Sequence, residues 1–136
     1  MNVFAHVEDR IAAALEDLKQ DGVLPADLVL PAVEVEIPRE SAHGDLSTNA
    51  ALVLAKAARM KPRDIAESLK EKLSGDGEIS QVEVAGPGFL NLTFTPEFWQ
   101  GLVRMILKAG SDYGRGIIAN GETINIEYVS ANPTGP

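Results

Sequence analysis

The feature that most constrains the fold is the turn Gly86-Pro87-Gly88, which separates two segments of strand-like composition. Residues 79–85 and 89–95 are rich in apolar and β-branched side chains, and a connection this short joins antiparallel neighbours. Predicted helices are interleaved with the strands, but the hairpin excludes a wholly parallel sheet. We therefore predict an α+β domain, complete by residue 110, with helices packed on one face of a small antiparallel sheet.

Helical periodicity predicts four helices around this sheet, beginning near positions 4, 45, 62 and 96. The second would be capped by Asp45 and would run to about Met60. Its inward stripe would consist of Leu46, Ala50, Val53, Ala57 and Met60. Strict alternation of apolar and polar residues over 33–37 predicts one more strand.

Composition excludes several classes of protein and site. The 136 residues include no cysteine, which excludes disulfides, zinc fingers and thiol catalysis. His6 and His43 are far apart in the sequence, so we expect no metal site. No apolar run approaches the roughly 20 residues that span a bilayer, and the N-terminus lacks the pattern of a secretory signal. We therefore expect a soluble, cytoplasmic protein with no membrane partner.

Charge is distributed unevenly along the chain. The net charge is −8, whereas small nucleic-acid-binding domains are usually basic. Residues 1–40 carry three basic and nine acidic side chains, but residues 56–72 carry six basic and three acidic ones. This basic stretch either contacts phosphates or forms the solvated face of two helices, which is the commoner case for charges at helical spacing.

The second strand of the hairpin carries the first candidate site. Its period of two places three apolar side chains on the core face and Phe89, Asn91 and Thr93 on the other. We expect this face to expose Phe89 and Asn91 together. An exposed ring can stack on an unpaired base, and a nearby amide can bond the base edge. The pattern alone favours the alternative, a phenylalanine tucked under a loop and an asparagine that bonds neighbouring backbone.

Two further groups of residues are candidates for chemistry. His43 could be a general base, although a lone loop histidine beside a predicted helix cap is more often structural. Residues 123–129 predict another strand, and Glu127 precedes its C-terminal end, where open α/β sheets bind ligands. Ser130 and Asn132 follow in the next loop and could line the same crevice. Such residues are also common at strand ends and in Asn-Pro turns.

Four segments together resemble bacterial arginyl-tRNA synthetases. In chain order they are His43-Gly-Asp-Leu-Ser-Thr-Asn49 followed by Ala55-Lys56, Gly86-Pro-Gly-Phe-Leu-Asn91, Tyr113-Gly114, and Glu127-Tyr-Val-Ser-Ala-Asn-Pro-Thr-Gly-Pro136. In that family the last segment opens the class I catalytic domain and runs directly into the HxGH motif. The agreement in order and spacing covers nearly the whole chain, and the combination is highly specific.

The resemblance implies a division of the chain into three parts. Residues 1–110 resemble the N-terminal additional domain, which contacts the D-loop corner of the tRNA elbow. Residues 111–122 would be a linker, and residues 123–136 would be the truncated start of a Rossmann-type catalytic domain. At positions matching Phe89 and Asn91, the family contacts a D-loop nucleotide. The family residues that match Glu127, Ser130 and Asn132 contact the substrate arginine.

For the full-length enzyme, the resemblance implies a monomeric arginine–tRNA ligase that uses ATP and Mg²⁺ and has tRNA(Arg) and arginine as partners. The HxGH motif, the KMSKS-like loop and the anticodon-binding domain are missing, so we expect no catalytic residue, no bound cofactor and no activity in this fragment. The acidic net charge predicts weak, salt-sensitive tRNA binding by the isolated chain. The alternative is a stand-alone RNA- or protein-binding adaptor module. The residues encoded after Pro136 would distinguish this module from a ligase fragment.

Overall fold

A computed structural model describes residues 2–115 and residue 126 of the chain. The helices and strands follow each other in the order α1 (Val3–Gln20), β1 (Val35–Glu36), β2 (Leu46–Thr48), α2 (Ala50–Ala58), α3 (Pro62–Leu73), β3 (Ile79–Ala85), β4 (Phe89–Phe94) and α4 (Pro96–Ala109). Short 3₁₀ turns precede β2 and follow α4. None of the helices in the described residues is long and apolar enough to cross a membrane.

The four strands form one antiparallel sheet in the order β1-β2-β4-β3. Strands β3 and β4 form the predicted hairpin, in which Ala85 lies opposite Phe89 and Ile79 lies opposite Phe94. The α+β class and the antiparallel sheet are therefore confirmed. The predicted strand over residues 33–37 is present but shorter, because only Val35 and Glu36 pair with β2.

The hydrophobic core lies between the helices and one face of the sheet. Strand β4 contributes Leu90, Leu92 and Phe94 to this face, all of them buried. Helix α3 places Ile65 and Leu69 against them, and α1 adds a stripe of buried side chains at helical spacing. Burial of each such side chain is worth about 1.5–3 kcal/mol. The central position of β4 under these helices makes it the strand held most firmly.

The predicted second helix is wrong at its start. Asp45 does not cap a helix, because its N–H donates to the Leu92 carbonyl at 2.8 Å and its carboxylate accepts from the Phe94 N–H at 2.8 Å. The chain therefore continues along β4 as strand β2, and α2 begins only at Ala50.

This later start of α2 changes which of its side chains face the core. Its buried residues include Ala51, Leu54 and Ala58, whereas Val53 and Ala57 of the predicted stripe are exposed. A helix that starts four residues later, at the end of a strand, is rotated about its axis relative to the helix that the sequence predicts. The sequence thus indicates that α2 is a helix, but it does not indicate which face of α2 is buried.

Helix α4 begins as predicted, because the Thr95 hydroxyl accepts the Phe98 N–H at 3.3 Å and Pro96 occupies the first turn. The chain divides into two compact units, one up to Gly101 and one from Leu102 onward. In the second unit the end of α4 leads into a 3₁₀ turn, beside which Arg115 pairs with Asp112. Apart from residue 126, the predicted strand over 123–129 lies outside the described residues. The division at residues 110 and 122 stays a prediction.

Candidate nucleic-acid interface

The face of the sheet opposite the core carries a polar row that crosses all four strands. Strand pairing places Glu36 opposite Ser47, Ser47 opposite Asn91, and Asn91 opposite Glu83. Directly opposed side chains in a sheet lie about 4.5–5.5 Å apart. The row therefore brings together residues that are up to 55 positions apart in the sequence.

Phe89 lies at the hairpin end of this same face. It is the first residue of β4, it is 36% exposed, and the residue opposite it is the small Ala85. A ring beside so small a neighbour leaves one side open for contact. The structure thus agrees with the sequence prediction that Phe89 is accessible to a stacking partner.

Asn91 is less accessible than the sequence predicts. It shares the face of Phe89 but is only 7% exposed, because β4 is a central strand with neighbours on both sides. Within the described residues its amide makes no hydrogen bond, and no enclosed side-chain nitrogen or oxygen there lacks a partner. The amide therefore lies recessed between Ser47 and Glu83 and keeps a narrow access to solvent. The expectation that this face exposes Phe89 and Asn91 together is therefore wrong for Asn91, which is buried.

The loop before β2 clamps β4 from the side. Gly44 has a φ of +88°, and a Cβ at this position would lie 2.7 Å from the Leu92 carbonyl oxygen. Only glycine permits this approach, which brings the two Asp45 hydrogen bonds into register. Next to it, the exposed His43 side chain pairs with no carboxylate in the described part of the chain, and its role as a general base stays a prediction.

The hairpin turn lies against the start of α3. Gly88 has a φ of +150°, and a Cβ there would lie 2.9 Å from the Pro62 Cβ and 3.1 Å from its carbonyl carbon. One residue on, Arg63 Nη1 donates to the Gly86 carbonyl oxygen at 3.3 Å. These contacts hold Pro62 and Arg63 beside the end of β4 that carries Phe89. Both residues lie at the start of α3, and we call residues 56–63 the α2–α3 corner.

The basic stretch predicted over residues 56–72 is divided by the structure. Lys72, at the far end of α3, lies 2.5 Å from the Asp21 carboxylate. The hydrogen bond to Asp21 and the nearby charges of Asp21 and Asp17 raise the pKa of Lys72, against a smaller desolvation effect. This lysine is engaged within the protein, whereas Lys56, Arg59 and Lys61 of the α2–α3 corner form no ion pair with the residues that the structure describes.

Acidic groups collect elsewhere on the surface. A cavity of about 230 Å³ at the β1 edge of the sheet is lined by Glu8, Glu34 and Glu36, together with Val35 and Asn49. Three carboxylates repel a phosphate backbone, so this cavity is no nucleotide site. Among the described residues, no three histidine, aspartate or glutamate side chains are arranged so that they could hold a metal ion.

The arrangement combines an open ring, a recessed amide and a nearby cationic corner, which suits an unpaired nucleotide. The sequence reasoning missed Ser47, because β2 is three residues long and shows no period. It missed Glu83 of β3, because the register of the hairpin decides which residue lies opposite Asn91. Gly44 was a recognisable signal, since a glycine before an aspartate in a polar loop often marks a close backbone approach. Glu127, Ser130 and Asn132 lie outside the described residues.

Comparisons of sequence agree with the resemblance drawn from the motifs. A family model described as "Arginyl tRNA synthetase N terminal domain" matches residues 5–94. The arginine–tRNA ligase of Parvibaculum lavamentivorans is 55% identical over 136 residues, which are all of this chain and 23% of that protein. The arginine–tRNA ligase of Jannaschia sp. is 54% identical over the same 136 residues, which are 24% of that protein. The chain thus spans about a quarter of the length of these relatives.

Solved structures give the same result for the fold. The arginyl-tRNA synthetase of Thermus thermophilus superposes with a TM-score of 0.55 at 28% identity, over 77% of this chain and 16% of that one. The arginyl-tRNA synthetase of Plasmodium falciparum superposes with a TM-score of 0.59 at 9% identity, over 73% of this chain and 17% of that one. At this identity the likeness supports the fold alone. With the family model covering residues 5–94, the chain belongs to the family of arginyl-tRNA synthetase N-terminal domains.

Proposed function

We propose that this chain is the tRNA-reading N-terminal part of an arginine–tRNA ligase, and that Phe89 and Asn91 bind a nucleotide of the tRNA D-loop. The observation that carries the proposal is the open Phe89 ring at 36% exposure in a member of this family, two residues from an amide that bonds to none of the residues that the structure describes. The D-loop supplies the unpaired bases that such a site needs.

The recessed position of Asn91 suits this task. A base that stacks on Phe89 extends along β4, where the residue two further on lies about 7 Å away. The ring then supplies about 1–3 kcal/mol of binding free energy whatever the base. The amide lies between Ser47 and Glu83 and would bond the edge of a base that fits between these neighbours. Affinity is thereby assigned to the ring and discrimination to the amide.

For the full-length protein we propose the reaction of an arginine–tRNA ligase. The arginine carboxylate attacks the α-phosphate of ATP and releases pyrophosphate. A hydroxyl of the tRNA 3′-terminal ribose then attacks the activated carboxyl, forms the ester and releases AMP. Glu127, Ser130 and Asn132 would bind the substrate arginine, and ATP with Mg²⁺ would be bound by residues outside this chain. This work would take place in the cytoplasm, with tRNA(Arg) as the macromolecular partner.

The direct test measures binding of a tRNA(Arg) transcript to the chain at low salt, with NMR or fluorescence anisotropy as the readout. Phe89→Ala should weaken binding by about 5- to 150-fold, which corresponds to the 1–3 kcal/mol of a stacked base. Phe4→Ala is the matched control, since Phe4 is 37% exposed and lies on α1, remote in sequence from the hairpin. Equal affinities for wild type, Phe89→Ala and Phe4→Ala would refute the stacking site.

A second arm tests the reading of the base. Transcripts that differ at one D-loop nucleotide should be discriminated by the wild type and by Phe4→Ala. Asn91→Ala should lose that discrimination while retaining most of the affinity, because the ring remains. Unfolding curves of the variants show whether the recessed side chain also matters for stability. Discrimination that survives Asn91→Ala would remove the amide from the proposal.

A further inference from the structure

The α2–α3 corner concentrates positive charge in a protein that is acidic as a whole. Residues 56–63 contain Lys56, Arg59, Lys61 and Arg63 and no carboxylate, in a chain of net charge −8. All four side chains are exposed. In the described part of the chain, Lys56, Arg59 and Lys61 form no ion pair, and the carboxylate paired with Arg63 is 3.9 Å away. These cations are therefore available to an external anion.

The position of the corner relates it to Phe89. Gly88, the residue before Phe89, contacts Pro62 between Lys61 and Arg63, and Arg63 reaches the Gly86 carbonyl. The contact with Pro62 is so close that no side chain fits at Gly88. The corner and the ring are thus parts of one rigid hairpin-and-helix junction, and a ligand held by one lies within reach of the other.

Arg59 itself occupies an unfavourable backbone conformation. It follows the last residue of α2 with a φ of +54°, and it is the only non-glycine residue with positive φ among the described residues. Glycine is the usual residue there, and another residue costs about 1 kcal/mol or more. An arginine at this position keeps a long, exposed guanidinium at the corner at a cost in stability, which is the pattern of residues that serve binding.

We infer that the α2–α3 corner binds the phosphates of the RNA backbone on either side of the nucleotide that stacks on Phe89. Arg59, Lys61 and Arg63 supply charge-assisted hydrogen bonds to phosphate oxygens, while the ring and the recessed amide contact the base. The inference rests on the proposed function and adds to it the residues that position the strand. It also explains how an acidic protein binds RNA, since the local charge of the corner opposes the global one.

The test uses the salt dependence of binding, which reports phosphate contacts separately from stacking. For a single strand, each phosphate contact contributes about 0.7 to the slope of log affinity against log salt. The double variant Arg59→Gln/Lys61→Gln should lower that slope by about 1.4. Between 50 and 200 mM salt, its affinity should therefore fall roughly sevenfold less than that of the wild type. Neither the Arg59 nor the Lys61 side chain makes a hydrogen bond or ion pair within the described residues, so the double variant should fold normally.

Lys70→Gln is the matched control, because it removes one charge from the same helix about 10 Å further along its axis than Arg63. Its slope should stay at the wild-type value, because a lysine that contacts no phosphate does not contribute to the slope. A double variant whose slope is indistinguishable from that of the wild type would overturn the inference. Phe89→Ala separates this result from the stacking proposal, because it should lower affinity equally at every salt concentration and leave the slope unchanged.

An acidic protein partner is the alternative occupant of the corner, and polyglutamate in place of tRNA tests it. We expect polyglutamate to bind more weakly than tRNA and to be indifferent to Phe89→Ala. Polyglutamate binding as tight as tRNA binding, and lost in the same double variant, would overturn the assignment to RNA. A further outcome is that the double variant lowers the slope of log affinity against log salt while Phe89→Ala leaves the affinity for tRNA unchanged. That result would support the phosphate-binding corner and refute only the stacking site at Phe89.

Discussion

The junction between the hairpin turn and α3 makes a sharp prediction about two glycines of one turn. Gly86 and Gly88 both have positive φ, at +51° and +150°. A Cβ at Gly86 would meet nothing within 4 Å, whereas a Cβ at Gly88 would meet Pro62 at 2.9 Å. Replacing each glycine by alanine therefore separates the cost of backbone conformation from the cost of the close approach.

The magnitudes follow from these two environments. Gly86→Ala should lose only the conformational term, about 1–2 kcal/mol for a non-glycine residue in the left-handed region. Gly88→Ala adds overpacking to a conformation that is almost exclusive to glycine. The two effects contribute about 1–3 kcal/mol each, so we expect a loss of about 2–6 kcal/mol. For a unit of about 100 residues, each kcal/mol lowers the unfolding midpoint by about 4–8 °C.

The assay is thermal and urea unfolding of both variants and the wild type, followed by far-UV circular dichroism. Gly88→Ala should unfold well below Gly86→Ala, and its backbone amide shifts should move at the start of α3 as well as in the turn. Equal midpoints for the two variants would refute the reasoning, because the contact with Pro62 would then contribute nothing. A Gly86→Ala variant that is the less stable of the two would refute it as well.

Three further predictions concern other parts of the fold. Gly44→Ala should cost about 2–4 kcal/mol in urea unfolding, because its Cβ would lie 2.7 Å from a β4 carbonyl oxygen at positive φ; an unchanged midpoint would contradict this close approach. Leu54→Ala should cost about 2–5 kcal/mol and Val53→Ala less than about 0.5, since the two are 1% and 52% exposed; the reverse order would restore the helix phase predicted from sequence. The hydrogen bond to Asp21 raises the pKa of Lys72 above its ordinary value of 10.5, so their pairing stabilises the fold below that pH and is lost as pH rises through the raised pKa. Asp21→Asn should therefore destabilise at about pH 8 and progressively less as pH rises through the raised pKa, and it should lower the pKa of Lys72 in an NMR titration.

Long periodic segments were predictable because each contains its own signal. Helix α1 has eighteen residues and α3 has twelve, so their apolar stripes repeat often enough to determine both the helix and its buried face. The hairpin was predictable for a different reason, since Gly86-Pro87-Gly88 leaves no other connection between two apolar segments. The motifs that indicate the family likewise depend on residue identity and spacing alone.

The site was only partly predictable. Alternation along β4 correctly assigned Phe89 and Asn91 to the face opposite the core, but it could not indicate how much of each is exposed. Exposure depends on which strand is central, and that depends on pairing between residues far apart in the sequence. The charged corner was visible as a basic stretch, whereas its position beside Phe89 was not.

Sequence by itself determined the α+β class, the hairpin, the boundaries of the long helices and the family, because each of these depends on local periodicity or on the identity of neighbouring residues. Only the tertiary structure decided that residues 46–48 form a strand, that Asn91 is recessed and that the α2–α3 corner lies at the end of β4. A strand of three residues has too few positions to show a period, and its conformation is stabilised by hydrogen bonds to Leu92 and Phe94 rather than by its own sequence. Contacts between distant segments decide such features, and a linear pattern does not contain them.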